Sequence, residues 1–216
     1  MKVFVIAMDS EADAVIRRMT DVVETRVFGK RVVRGRFRGE SAAVVVSGVG
    51  KANAAAGTML ALSGFAPTEV LNVGVCGGFE PQMTIGDLYE VGRAVQYDFD
   101  LSQVNGTEIG VLNERDTPYF GFRTTGRYPA KTLATGDHFN DSTADFPLFE
   151  KLGVGLRDME GAAVAQIAEA SSIPVRALKC VTNVIGAGAA GQYAANLKRC
   201  LDILSDAVEE WAFADV

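Results

Sequence analysis

The sequence predicts an α/β fold, a three-layer α/β/α sandwich around a mixed central sheet. Three observations carry this expectation. Short β-branched runs alternate with Ala- and Leu-rich stretches at helical spacing, the pattern of parallel strands crossed by helices. Three strand-like runs crowd into residues 25–46 with only tight turns between them, so part of the sheet is expected to be antiparallel. Of 216 residues, 48% are apolar and 22% charged, which excludes a disordered or low-complexity chain and suits one domain spanning 1–216.

Each element follows from its own residues. Residues 2–7 are a short apolar run suited to a buried strand. Residues 10–19 place Ala12, Val15, Ile16 and Met19 on one helical face, with Ser10 as the expected cap. Strands follow at 25–28, 31–37 and 42–46, joined by turns at Phe28-Gly29-Lys30 and Arg38-Gly39-Glu40. Residues 51–62 read as a helix, and 69–73 as a strand running into Gly74-Val75-Cys76-Gly77-Gly78. Another strand is expected over 86–96. Residues 101–131 are polar, with Gly and aromatics, and read as a long excursion or hairpin. Residues 130–135 form a strand, 161–170 a small-residue helix and 174–181 a buried strand. The final helix, 194–213, carries Leu197, Leu201, Leu204, Val208 and Trp211 on one face. The glycines of 186–191 suggest a mobile segment, with Tyr193 just beyond it.

Composition then narrows function. A formal charge of −6 and no basic run argue against nucleic acid or an anionic membrane surface as partner. The first apolar run is too short for a signal peptide, and no stretch approaches the length of a membrane span. Three cysteines, Cys76, Cys180 and Cys200, fit a reducing compartment, so the expected location is cytoplasmic. His138 is the single histidine. It excludes a His-rich metal site, and no metal or cofactor is expected.

Four strand ends carry polar or glycine-rich sequence: Met8-Asp9-Ser10-Glu11, Ser47-Gly48-Val49-Gly50-Lys51, the stretch from Gly74 to Gly78, and Thr182-Asn183. In open α/β sheets such ends are where ligands bind. Ser47 to Lys51 lacks the spacing of a phosphate loop, and Gly48 and Gly50 lack the third glycine of a dinucleotide fingerprint. Taken singly, each glycine is a tight turn.

Taken in order, these segments, with Asn72-Val73-Gly74, Ile85-Gly86-Asp87, Asp98-Phe99-Asp100, Thr135-Gly136-Asp137-His138-Phe139 and Asp158-Met159-Glu160, span nearly the whole chain. The set resembles the nucleoside phosphorylase/nucleosidase superfamily, and within it the 5′-methylthioadenosine/S-adenosylhomocysteine nucleosidase branch. That resemblance implies cleavage of a purine N-ribosidic bond through a cationic, oxocarbenium-like sugar. It assigns Glu160 to the ribose hydroxyls, Met159 to the face under the sugar and Phe139 to stacking on the base. It assigns Glu11 to general base for an attacking water. It puts Met8, Cys76, Gly77, Asn140, Asp158, Lys179, Thr182 and Tyr193 among the substrate contacts, and His138 at the pocket edge. It also implies a homodimer whose neighbour closes the pocket beyond the sugar 5′ group.

Two features separate hydrolysis from phosphorolysis. Phosphorylases of the superfamily carry cations for phosphate where this chain has Glu11 and the neutral Asn72, and a phosphate dianion wants Arg or backbone donors. One feature departs from the nucleosidases: Asn183 stands where they have the aspartic acid that protonates purine N7. Asn can hydrogen-bond to the N6/N7 edge of adenine or donate to N7 or O6 of a 6-oxopurine, but it cannot give up a proton. Lys179 stands in place of an arginine, Asp158 of a glutamate and Val75 of a serine. The leading expectation is a methylthioadenosine/S-adenosylhomocysteine-type hydrolase. The alternatives are a 6-oxopurine (inosine- or futalosine-type) hydrolase, a phosphorylase with an atypical phosphate site and a non-catalytic nucleoside-binding domain.

Overall fold

The computed structural model describes residues 1–79, 82–139, 143–184 and 188–215. Its elements in chain order are β1 (Lys2–Ile6), α1 (Asp9–Ile16), β2 (Thr20–Val27), β3 (Lys30–Phe37), β4 (Glu40–Val46), α2 (Lys51–Phe65), β5 (Glu69–Gly78) and β6 (Leu88–Gln96). There follow α3 (Ser102–Asn105), β7 (Tyr119–Gly121), β8 (Ala130–Thr135), α4 (Phe146–Leu152), β9 (Val154–Asp158), α5 (Gly161–Ala170), β10 (Val175–Val184) and α6 (Ala189–Ala212).

The sheet is mixed, as the clustered N-terminal strands led us to expect. β1 lies between β4 and β5 with parallel pairing on both sides. β2, β3 and β4 form an antiparallel meander whose turns place Phe28, Gly29, Arg38 and Gly39 at positive φ, the geometry that matches hairpin twist. Beyond β5 the sheet curls. β5 pairs with β10, β10 with β6, β6 with β8, β8 with β9, and β9 returns to β5. Five strands thus close a ring, and β1, β4, β3 and β2 extend from it.

Alternation along β1 shows how the layers form. Val3 and Val5 point into one core with Ala54 and Ala61 of α2 and Ala162 and Ala165 of α5. Phe4 and Ile6 point into the other with Ala12 and Val15 of α1 and Leu204, Val208 and Trp211 of α6. A buried clamp fixes the end of α6. The Arg176 guanidinium donates to both Glu69 oxygens at 2.7 Å, and to the carbonyls of Trp211 (3.0 Å) and Ala212 (2.7 Å). These charge-assisted bonds satisfy an arginine that is fully buried.

The structure corrects several local expectations. Met8, not Ser10, precedes the first turn of α1, because the Glu11 carboxylate accepts the Met8 N–H (3.1 Å) and fixes the helix start there. The run from Gly74 to Gly78 is not a turn but the second half of β5, paired throughout with β10. Residues 101–131 hold the short helix α3 and strand β7. α4 and β9 have no counterpart in the sequence reading. The C-terminal helix starts at Ala189 rather than 194, so Ala189 to Gly191 belong to a helix. Gly186 and Ala187 of the expected mobile segment lie outside the described residues.

Candidate active site

A cavity of about 410 Å³ opens where the C-terminal ends of β1, β5, β9 and β10 meet the first turns of α1 and α5. This is the strand-end location that open α/β sheets offer to ligands. Most of its wall is apolar, contributed by Met8, Val49, Val75, Cys76, Phe139 and Met159. The polar groups that face it are few.

Glu11 enters from α1. Its buried carboxylate accepts the Val75 N–H at 2.8 Å through one oxygen and the Met8 N–H at 3.1 Å through the other. Gly74 permits this approach, since a Cβ there would lie 2.6 Å from Glu11 Oε1. Burial pushes the Glu11 carboxyl above the ordinary range, against the pull of the Val75 N–H and the Lys179 ammonium.

Glu160 caps the start of α5 and accepts the Gly50 N–H at 2.8 Å. Gly50 sits at φ 97°, a conformation that suits glycine and turns its N–H toward the carboxylate. The neighbouring Lys51 N–H is taken by Asp137 (2.7 Å), and Lys51 Nζ by Asp98 (2.6 Å), so the turn before α2 is fixed from two sides. Burial, and next the nearby Asp158 charge, raise the Glu160 pKa to about 7.

Asp158 lines the same wall, yet its oxygens are already engaged. They accept from Thr135 Oγ1 (2.7 Å) and from the Glu160 and Gly161 N–H groups, and one pairs with Lys179 Nζ at 2.9 Å. Lys179, expected among the substrate contacts, does not line the cavity but lies buried behind Asp158. Burial opposes its charge, but Asp158, Glu160 and Glu11 outweigh that and keep its pKa raised.

On the opposite wall a bulge in β10 shapes the edge that meets the ligand. Val181 pairs with Cys76 and Asn183 with Gly77, leaving Thr182 as the extra residue. The Thr182 hydroxyl lies 3.0 Å from Asn183 Oδ1 and 3.2 Å from the Cys76 carbonyl. Gly77, Thr182, Asn183 and Tyr193 all line the cavity. Phe139 and Tyr193 meet edge to face with ring centres 5.8 Å apart, forming one side of the mouth. Asn140 lies outside the described residues. His138 lies beside a smaller adjoining cleft, with Nε2 at 3.2 Å from the Tyr97 hydroxyl.

Sequence reasoning missed Ala7, Val49, Ala190 and Arg157 as lining residues. Val49 carried a signal, because it stands inside the glycine-rich strand end at Ser47 to Lys51. Arg157 is the one cation among the described lining residues, and it donates to the His138 carbonyl at 2.7 Å. Asn72 is not at the cavity; its amide ties β5 to the Val5 carbonyl of β1 at 3.0 Å.

Comparison with known proteins agrees with this geometry. The chain is 33% identical over 197 residues to the 5′-methylthioadenosine/S-adenosylhomocysteine nucleosidase of Marinomonas sp. (strain MWYL1), covering 83% of this chain and 84% of that one. It is 30% identical over 201 residues to the protein of the same name from Geobacillus kaustophilus (strain HTA426), covering 86% of each. Among solved structures, the nucleosidase of that name from Helicobacter pylori with butyl-thio-DADMe-Immucillin-A superposes with a TM-score of 0.90 at 21% identity, over 97% of each chain. The futalosine hydrolase of the same organism gives 0.89 at 21%, over 95% of this chain and 94% of that one. The Phosphorylase superfamily model matches residues 2–210, from the first strand to the last helix, and with the ring of strands and the cavity at its strand ends this makes the chain a member of the phosphorylase superfamily.

Proposed function

We propose that the protein hydrolyses the N-ribosidic bond of a purine nucleoside, with 5′-methylthioadenosine and S-adenosylhomocysteine as the first substrate class. The observation that carries the reading is the pair of buried carboxylates, Glu11 and Glu160, in one cavity opposite the Asn183 amide. In this proposal Glu160 accepts from the ribose hydroxyls, and its negative charge favours the cationic sugar that forms as the bond to the base stretches. Met159 lies under the sugar, and Phe139 and Tyr193 cover the base. The bonding pair leaves with the purine. Water adds to the sugar carbon and passes its proton to Glu11, whose raised pKa makes it the stronger base. Asn183 donates to N7 without transferring a proton, so the departing base takes its proton from solvent.

Water rather than phosphate is favoured as nucleophile because, among the described residues, the cations nearest Glu11 are already engaged. Lys179 is paired with Asp158, and Arg157 with the His138 carbonyl. The test is release of base from methylthioadenosine, adenosine, inosine and futalosine by the purified protein, with and without phosphate. The expected products are base and free sugar at a rate indifferent to phosphate. Phosphate-dependent formation of a sugar 1-phosphate would overturn the reading in favour of a phosphorylase.

A second substrate class is supported by one feature. Asn183 at the cavity wall carries an amide that can donate a hydrogen bond, which suits the N7 and O6 acceptors of a 6-oxopurine. The proposal extends to a cytoplasmic homodimer acting as one unit over 1–216. Half-exposed Val49 and Phe139 at the cavity rim support the dimer, and three free cysteines support the compartment.

A further inference from the structure

Lys51, Asp98 and Asp137 belong to three of the sequence segments singled out above, yet none of them lines the cavity. Each follows a strand. Lys51 opens α2 just beyond β4, Asp98 stands two residues past the end of β6 and Asp137 two past the end of β8. β6 and β8 run parallel with Gln96 opposite Thr135, so the register brings Asp98 and Asp137 together. Gly136 lets the two strand ends close up, since a Cβ there would lie 2.4 Å from the Tyr97 ring.

The three residues form a closed ring of hydrogen bonds. Lys51 Nζ donates to one Asp98 oxygen at 2.6 Å, and the Asp137 N–H donates to the other at 2.9 Å. The Asp137 carboxylate accepts the Lys51 N–H at 2.7 Å, which also caps the first turn of α2 from another loop. What the ring holds is the turn before α2. Gly48 and Gly50 sit there at φ 88° and 97°, and glycine leaves such a turn free to take other conformations, so its shape is imposed by its neighbours. That shape sets Glu160. Among the described residues, the Gly50 N–H is the one hydrogen bond that the Glu160 carboxylate accepts. The ring also joins Val49, in the turn, to the segment that carries Phe139, and both line the cavity.

We propose that Lys51, Asp98 and Asp137 are positioning residues, whose ring fixes the Gly50 N–H and through it the Glu160 carboxylate. The proposal rests on the hydrolase reading, which gives Glu160 the ribose hydroxyls. A partly exposed ion pair adds little to folding stability, whereas a backbone N–H aimed at a carboxylate favours its ionised form. The role therefore has a signature in the pH profile. Besides Gly50, Glu160 faces Glu11 of α1, Asp158 of β9, Lys179 of β10 and Tyr193 of α6. Glu11 takes its N–H bonds from Met8 and Val75, away from the ring. Loosening the Gly50 bond raises the Glu160 pKa, so the rise of activity moves to higher pH whichever ring member is removed. A bare charge effect instead moves it up when Lys51 is neutralised and down when Asp98 is.

The test is kcat/KM against pH for the wild type, Lys51→Met and Asp98→Ala on methylthioadenosine, adenosine and inosine, with a melting curve for each protein. Both variants are expected to lose about tenfold in kcat/KM at neutral pH, the equivalent of a weakened hydrogen bond to a charged group. Both are expected to shift the rising limb to higher pH. Lys51→Arg, which restores the ion pair, is expected to recover most of what Lys51→Met loses. Should Asp98→Ala not fold, Asp98→Asn, which keeps an acceptor for the Asp137 N–H, is read in its place with the same expected direction. An unshifted limb, shifts of opposite sign in the Lys51 and Asp98 variants, or full activity in both would each overturn the positioning role while leaving the hydrolase intact. A wild type that cleaves none of the nucleosides overturns the hydrolase reading, and the positioning role with it.

Discussion

Glu160 shows at the scale of one residue how function costs stability. Its carboxyl holds a proton up to about pH 7, whereas in the unfolded chain it would lose it near 4.5. The folded state binds the extra proton between these values, so this group makes stability fall as pH rises through that window. The proposed chemistry needs the ionised form, so activity is expected to rise over the same pH range. Glu160→Gln is expected to lower kcat/KM by about a hundredfold or more, yet to melt above the wild type at pH 8. Steady-state kinetics and a pair of melting curves check both halves; a variant that is inactive and also less stable at pH 8 contradicts the account. Asn183 makes the opposite case. Asn183→Asp supplies a proton donor at N7 and is expected to raise kcat on methylthioadenosine at least about tenfold, since general acid catalysis is commonly larger than that. Loss of activity on every purine nucleoside would show that the residue does something else. Glu11 and Asn183 were legible because each lies in the polar run that follows a recognisable apolar strand sequence. Lys179 was not, because every residue of β10 through Asn183 is buried, and such a strand gives no sequence sign of which side faces a cavity.

At the scale of elements, glycine carried two meanings that a sequence does not distinguish. Gly29 and Gly39 mark turns, as expected. Gly74 sits in a paired strand and is glycine because the Glu11 carboxylate occupies the space of a side chain. Gly74→Ala is expected to push that carboxylate off the Val75 N–H, lowering kcat by an order of magnitude or more and stability by about 1–3 kcal/mol, the usual cost of overpacking. Kinetics with a denaturant titration separate the two effects, and a fully active variant would show that the carboxylate position is not critical. The hairpins were legible from turn chemistry, and the helices α2 and α5 from their Ala-rich, small-residue composition. α4 and β9 were not: seven and five residues are too few to reveal a period.

Across the whole molecule, alternation of strands and helices announced the layers, and the crowded strands at 25–46 announced the antiparallel edge. Closure of the sheet was hidden. It depends on β9 meeting β5 through only two residue pairs, Gly77 with Arg157 and Gly78 with Leu156. Pairing between strands so far apart in sequence leaves no local mark. That closure governs how the molecule moves. A strand within the ring is held by a ladder on each side, so none can peel away without its neighbours. Glu11 rests against this ring and Asn183 projects from it, so their spacing is set by the most cooperative part of the structure. The β2–β3 hairpin lies outside the ring; its backbone ladder joins the sheet through β4, and side-chain ties of Arg31 to Asp9 and Asp13 and of Lys30 to Ser47 and Asn53 hold it in place, so it opens without breaking the ring. The hardware of bond cleavage and the hairpin therefore answer to different opening equilibria, and a mutation that loosens the hairpin need not unzip the ring.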